Sequence, residues 1–223
     1  MRHWPHRDQA YAGRTFRFFE HGEAVLVCGG LGPEAARRAT QAVIALYSPQ
    51  LIYSAGFAGA ASESLKVADI LTPRRVVNAN DGSSVDTGTG EGILVTFAVI
   101  ASPEQKAKLA ASFGAHAIDM EASAVAQAAE ARGIPFAAVK AISDAADFAL
   151  PPMDAFIGPA GQFRTANFAL FLMLRPWLWP TAVRLARNSS QASRALSAHL
   201  IQMIESQTIH PAQPTSLETS TRR

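Results

Sequence analysis

The stretch Ala117–Asp147, "AIDMEASAVAQAAEARGIPFAAVKAISDAAD", decides how this chain folds. "HAID" is a short strand that runs into a helix with Met120, Ala124, Val125 and Ala128 turned inward. Gly133 stands where a helix takes its left-handed closing residue, and Pro135 cannot continue the helix. "FAAVKAIS" is a continuous apolar run, the pattern of a strand buried on both faces. Asp119, Glu121, Asp144 and Asp147 sit where these elements begin and end. A carboxylate at such a junction either caps a helix or belongs to a site at the edge of a sheet.

The same alternation extends upstream. "AVLVC", Ala24–Cys28, is a short apolar run that predicts a buried strand, with Cys28 as a small buried hydrophobe. Gly29, Gly30 and Gly32 make a tight turn, and Pro33 suits the first position of a helix with Ala35, Ala39, Val43 and Leu46 on one face. Gln50–Ala55 predicts the next strand, turning at "GFAGA". "DILTPRRVV" and "GILVTFAVI" are further strand candidates. Ser102, Pro103 and Gln105 form an N-cap, N1 and N3 set that opens a helix to about Phe113. Before all of these, "RTFRFFE" alternates and can pair with Ala24–Cys28 across the His21–Glu23 turn.

Alternating strands and helices predict a three-layer α/β fold with a central, mostly parallel mixed sheet. One such domain spans residues 1–205, and the polar segment 206–223 reads as a disordered tail. In such sheets ligands bind beyond the carboxyl ends of the strands, so two Gly-rich turns and two acidic junctions are expected on one edge.

Bulk composition excludes several classes. Among 223 residues, 48% are hydrophobic and 17% charged, which is a globular balance. A net charge of +2 argues for no nucleic-acid partner. One cysteine and scattered histidines offer neither a disulfide framework nor metal spacing, so no metal or cofactor is expected. Without an apolar leader or an apolar stretch long enough to span a bilayer, a cytoplasmic location is expected.

The segments "VCGGLGPEAARRATQAVIALYSPQLIYSAGFAGA", "LKVADIL" and "DMEASAVAQAAEARGIPFAAVKAISDAAD", in this order, resemble the purine nucleoside phosphorylase and 5′-methylthioadenosine/S-adenosylhomocysteine nucleosidase family. Beyond Asp147 the chain is similar to the hopanoid-associated branch, thought to remove adenine from adenosylhopane. The resemblance implies cleavage of the N-ribosidic bond of a purine nucleoside by a homo-oligomeric enzyme. In this reading Asp144 protonates the departing base near N7, and Glu121 accepts both ribose hydroxyls. Met120 packs on the sugar and Phe97 on the base. Ser143, Gly30, Gly56 and Phe57 complete the substrate-binding set.

The chain also departs from that pattern. Family phosphorylases hold phosphate with the first Gly-rich turn, an Arg before the second turn and a Ser inside it; here the last two positions are Ser54 and Phe57. A phosphate dianion would lose its charge-assisted bonds, which favours water as the nucleophile. Family nucleosidases activate that water with a Glu on a first strand of the form "IGIIGAMEEE", and the chain begins, in register, after it. Asp8 and Glu20 precede the match in hairpin-like surroundings, so a first strand is expected to be lacking and catalysis weak. The alternative is a nucleoside-binding or membrane-associated regulatory protein on the same fold. "FALFLMLRPWLWPTAVRLAR", residues 168–187, reads either as a core-packing helix or as an apolar patch that contacts a lipid or an anionic membrane surface.

Overall fold

A computed structural model describes residues 4–159 and 161–209. The first three strands, β1 (His6–Tyr11), β2 (Arg14–His21) and β3 (Ala24–Val27), form a small antiparallel sheet of their own. Helix α1 (Pro33–Tyr47) packs on it through Phe16, Phe18, Ala39 and Ala42. The main sheet contains β4 (Ile52–Ala60), β5 (Ile70–Leu71), β6 (Arg75–Asn78), β7 (Ser84–Asp86), β8 (Ile93–Thr96), β9 (Ala117–Asp119) and β10 (Phe136–Asp144). Their spatial order is β5-β10-β4-β9-β8-β6-β7. Parallel pairing joins β10 with β4, β6 with β8 and β8 with β9, and the β10–β4 ladder is the longest of the sheet. The mixed, mostly parallel α/β architecture expected from the alternation is what forms.

Helices cover both faces. One core joins α1 and α3 (Ala122–Glu130) to β4 and β10 through Ala36, Ala58, Val125, Ala126 and Ile142. A second places α2 (Pro103–Phe113) against β6 and β8 through Leu109, Val77 and Val95. The α2 start carries the expected capping box between Ser102 and Gln105. After β10 come a short 3₁₀ turn, α4 (Thr165–Met173), a second 3₁₀ turn and α5 (Trp179–Ile209), which lies along β10. Helical residues 206–209 are therefore not tail, because α5 runs through them; residues 210–223 lie outside the described residues. Among the described residues no helix is long and apolar enough to cross a membrane.

Several local expectations are corrected by pairing. β3 joins β2 as predicted but stays out of the main sheet, so its residues are only half buried and Cys28 is exposed. Leu46 is exposed because the buried face of α1 centres on Ala35, Ala36 and Ala39. β4 does not turn at Gly56 but continues to Ala60, since β10 supplies it with partners up to Asp144↔Gly59.

The most consequential correction is direction. β9 meets β4 antiparallel, with Gly59↔Ile118 and Ala60↔Ala117, so its carboxyl end points back along β4. The Asp119–Glu121 junction therefore heads back along β4 and not beyond its end. On that side β4 has no strand partner among the described residues from Ile52 to Ala58, and β3 has none opposite β2. Two open strand edges flank the first Gly-rich turn.

Candidate active site

Glu121 is the N-cap residue of α3, yet its side chain does not cap that helix. Instead its Oε1 accepts the Gly32 N–H at 2.8 Å, at the amino terminus of α1, where aligned peptide dipoles favour a negative charge. Burial pushes the Glu121 carboxyl above its ordinary range, Asp119 adds to this, and the Gly32 bond and Lys140 oppose it. Neighbouring Met120 is half buried.

The Gly-rich turn is held from two directions. Leu31 N–H donates to the Gly161 carbonyl at 2.7 Å, and Gly32 N–H is taken by Glu121. Gly30 has a φ of 108°, and a side chain there would stand 2.9 Å from the Gly161 oxygen. Two backbone donors of the turn, the Leu31 and Gly32 N–H groups, therefore already have protein acceptors.

Asp144 ends β10 across a register shift after Ile142, an irregularity that re-aims the strand's last side chains. No helix starts there, which removes the capping alternative for Ser143 and Asp144. Asp144 is 3% exposed. Ser143 Oγ donates to its Oδ1 at 2.7 Å, and Lys106 Nζ forms an ion pair with its Oδ2. Gly59 lies opposite, with a Cβ position only 2.8 Å from that Oδ2.

Between the two acids runs a buried polar network. Asp119 accepts from Thr96 Oγ1 at 2.7 Å and from Ala122 N–H at 2.9 Å, and pairs with Lys140 Nζ at 2.8 Å. Asp119 is thus the capping and salt-bridge residue. Lys140 also donates to Ser54 Oγ at 3.0 Å, and Gly56 leaves its ammonium room at 3.6 Å. A cation does stand beside Ser54, but Asp119 already neutralises it.

Asp144 and Ile118 both face Gly59, one on each side of β4, so their backbones are two strand spacings apart, about 9–10 Å. Phe57 is 41% exposed on β4, at the unpaired stretch. Phe97 follows directly on β8 and is half buried, packed against the cluster that contains Val77, Val95 and Leu109. Asp8 is held by Arg17 at 2.8 Å, and Glu20 accepts from Tyr47 Oη at 2.7 Å, so both acids serve the small sheet.

Two lysines, Lys106 and Lys140, were not singled out by sequence reasoning. Lys140 gave a signal: a single charge inside the apolar run "FAAVKAIS" must find a buried partner. Lys106 gave none, since lysine on a helix is ordinarily a solvated residue.

Residues 2–104 and 89–158 match the family model of the phosphorylase superfamily. The chain belongs to that superfamily. It is an enzyme of the nucleosidase and nucleoside phosphorylase class. Among its relatives, the 5′-methylthioadenosine/S-adenosylhomocysteine nucleosidase of Treponema pallidum is 26% identical over 193 residues, covering 60% of this chain and 72% of that protein. A solved structure of a putative methylthioadenosine nucleosidase from Weissella paramesenteroides aligns with a TM-score of 0.56 at 25% identity, over 64% of this chain and 79% of that one. A 5′-methylthioadenosine/S-adenosylhomocysteine nucleosidase of Helicobacter pylori aligns over 90% of both chains with a TM-score of 0.62; at 17% identity it speaks for the fold alone.

Proposed function

We propose that this enzyme hydrolyses the N-ribosidic bond of an adenine nucleoside with an apolar 5′ substituent, an adenosylated hopanoid or a 5′-thioadenosine compound. The observation that carries hydrolysis over phosphorolysis is the occupied Gly-rich turn, whose Leu31 and Gly32 N–H groups are bound by Gly161 and Glu121. Phosphate would have to displace a carboxylate from a helix terminus and would find the nearby Lys140 paired. In the proposed reaction Asp144 protonates the base and Glu121 holds the ribose hydroxyls, favouring the oxocarbenium-like transition state.

An apolar 5′ group is supported by what adjoins the turn. Gly161 contacts Leu31, and four residues later α4 begins, none of whose residues is buried. Met173 and Leu174 are 67% exposed, Trp177 69% and Trp179 52%. Arg175 stacks on Phe171 at 4.0 Å and Arg184 on Phe148 at 5.0 Å, so cations edge this apolar surface. Exposed tryptophans beside arginines fit peripheral contact with an anionic bilayer that carries the substrate. A second copy of the chain, as in a homo-oligomer, is the competing occupant of this surface.

One observation favours binding without turnover: β4 has no strand partner from Ile52 to Ala58 on that side, and Asp8 and Glu20 are held within the small sheet by Arg17 and Tyr47. A single panel separates the readings. Adenine release from adenosine, 5′-methylthioadenosine, S-adenosylhomocysteine and an adenosylated lipid is followed with and without phosphate, beside calorimetric binding of the same compounds. Phosphate-independent release is expected. Release that requires phosphate sinks hydrolysis, and tight binding without release selects the regulatory alternative.

A further inference from the structure

The capping box at Ser102 fixes the start of α2 so that Lys106, one turn in, faces β10. Lys106 is 2% exposed, and its ammonium contacts the Asp144 carboxylate and the Ala145 carbonyl at 2.9 Å. Space for this pair is built into the facing strand. A methyl group on Gly59 would approach Asp144 Oδ2 to 2.8 Å and Lys106 Cε to 3.2 Å. Burying an ammonium and a carboxylate together is costly, and a well-packed apolar pair would often serve stability as well or better. Ser143 already orients the other carboxylate oxygen, so Asp144 needs no lysine to hold its rotamer.

We infer that Lys106 is the proton-holding partner of Asp144: a positioning residue that supplies, through the carboxyl, the proton delivered to the leaving purine. This inference rests on the proposed role of Asp144 as the acid. As the C1′–N9 bond breaks, its electron pair passes into the purine; the Lys106 ammonium gives a proton to the Asp144 carboxylate, Asp144 hands that same proton to N7, and the pair is left as an amine beside a carboxylate. Water adds to C1′ and releases one proton, which restores the ammonium, so nucleoside and water give adenine and free sugar with the pair unchanged. A paired ammonium thus lets a carboxylate ending a strand act as an acid without being stored in its protonated form.

The test uses the full chain with Lys106→Met, Asp144→Asn and the double variant. Each is assayed on an adenine nucleoside and on 4-nitrophenyl riboside, whose leaving group departs without a proton. Lys106→Met is expected to lower kcat on the adenine nucleoside by about 10²-fold, the low end for loss of proton transfer. KM should hardly move, and nitrophenyl release should stay within about twofold. The double variant should lose no more than Asp144→Asn alone, as expected of groups that act as a unit. Equal losses on both substrates would reduce Lys106 to a structural residue and overturn the inference, as would an undiminished adenine rate.

A binding measurement covers the case in which a single variant folds poorly or the wild type turns over nothing. The wild type should bind adenine at least about tenfold better than 7-deazaadenine, which lacks the N7 acceptor, about one unit of 1.4 kcal/mol. The double variant, which leaves no unpaired charge, should lose that preference. A wild type without the preference overturns the role of Lys106 even if it cleaves nucleosides. A wild type with the preference but without turnover refutes the hydrolase reading and leaves Lys106 as the N7-recognition partner.

Discussion

Gly59 is the smallest possible residue at the point where three strands and two buried charges meet, and Gly59→Ala tests the site without touching a charge. Gly59 does not use the left-handed region, so alanine is compatible with its backbone and any effect comes from contact. The new methyl would lie 2.8 Å from Asp144 Oδ2, about 0.6 Å inside the 3.4 Å of ordinary contact, and 3.2 Å from Lys106 Cε. Neither neighbour is a free end, because Ser143 and Ala145 also hold the pair. Overpacking of this kind costs about 1–3 kcal/mol, which for a chain of this size lowers Tm by roughly 2–12 °C. A misplacement of about 1 Å at a reacting group costs roughly 10²-fold, so a shift of about half that size predicts a loss of about tenfold in kcat. Thermal melting by circular dichroism and steady-state adenine release measure the two effects. Gly56→Ala meets only Lys140 Nζ at 3.6 Å and should melt closer to the wild type. If Gly59→Ala kept both the Tm and the turnover of the wild type, the packed carboxylate–ammonium site described here would be wrong.

Asp144→Asn should lower turnover by about 10²-fold or more, because an amide cannot donate the proton. It also strands the buried Lys106 charge, so a loss of roughly 3–5 kcal/mol is expected, and an unchanged melting curve would argue against the ion pair. Glu121 has a carboxyl raised by burial, so its protonated form favours the fold; its contribution is full below the ordinary value of 4.5 and is lost as pH rises through the raised one. Glu121→Gln should therefore gain stability over the wild type between acid and neutral pH while weakening nucleoside binding, and a variant that loses stability across that window contradicts the assignment. Replacing Trp177 and Trp179 by Ser should abolish co-sedimentation with anionic vesicles and leave melting nearly unchanged; wild-type protein that ignores such vesicles ends the membrane reading. Turnover of an adenine nucleoside should fall below the ordinary range of roughly 1–10³ per second, because Asp8 and Glu20 are both held within the small sheet. Turnover within that range would mean that another group activates water.

What the sequence by itself determined is local. The Ser102–Gln105 capping box, the β2–β3 hairpin, the Gly133 closure and the apolar run of β10 are written in neighbouring residues, since caps, turns and periodicity act within one or two turns of chain. The acids at the junctions were legible too, and the order of the motifs identified the superfamily. Tertiary structure alone decided how the strands run past one another. The antiparallel entry of β9 turns the Asp119–Glu121 junction back along β4, and no pattern within "HAID" encodes the direction of a neighbour. The same holds for Cys28, exposed because its strand pairs on one side only, and for Trp177 and Trp179, whose apolar segment finds no core to cover it. Lys106 is the sharpest instance. Its charge and its place on a helix describe a solvated surface residue, and only the distant chain segment ending in Asp144 turns it inward, because a buried carboxylate and a buried ammonium are each tolerable only in the presence of the other.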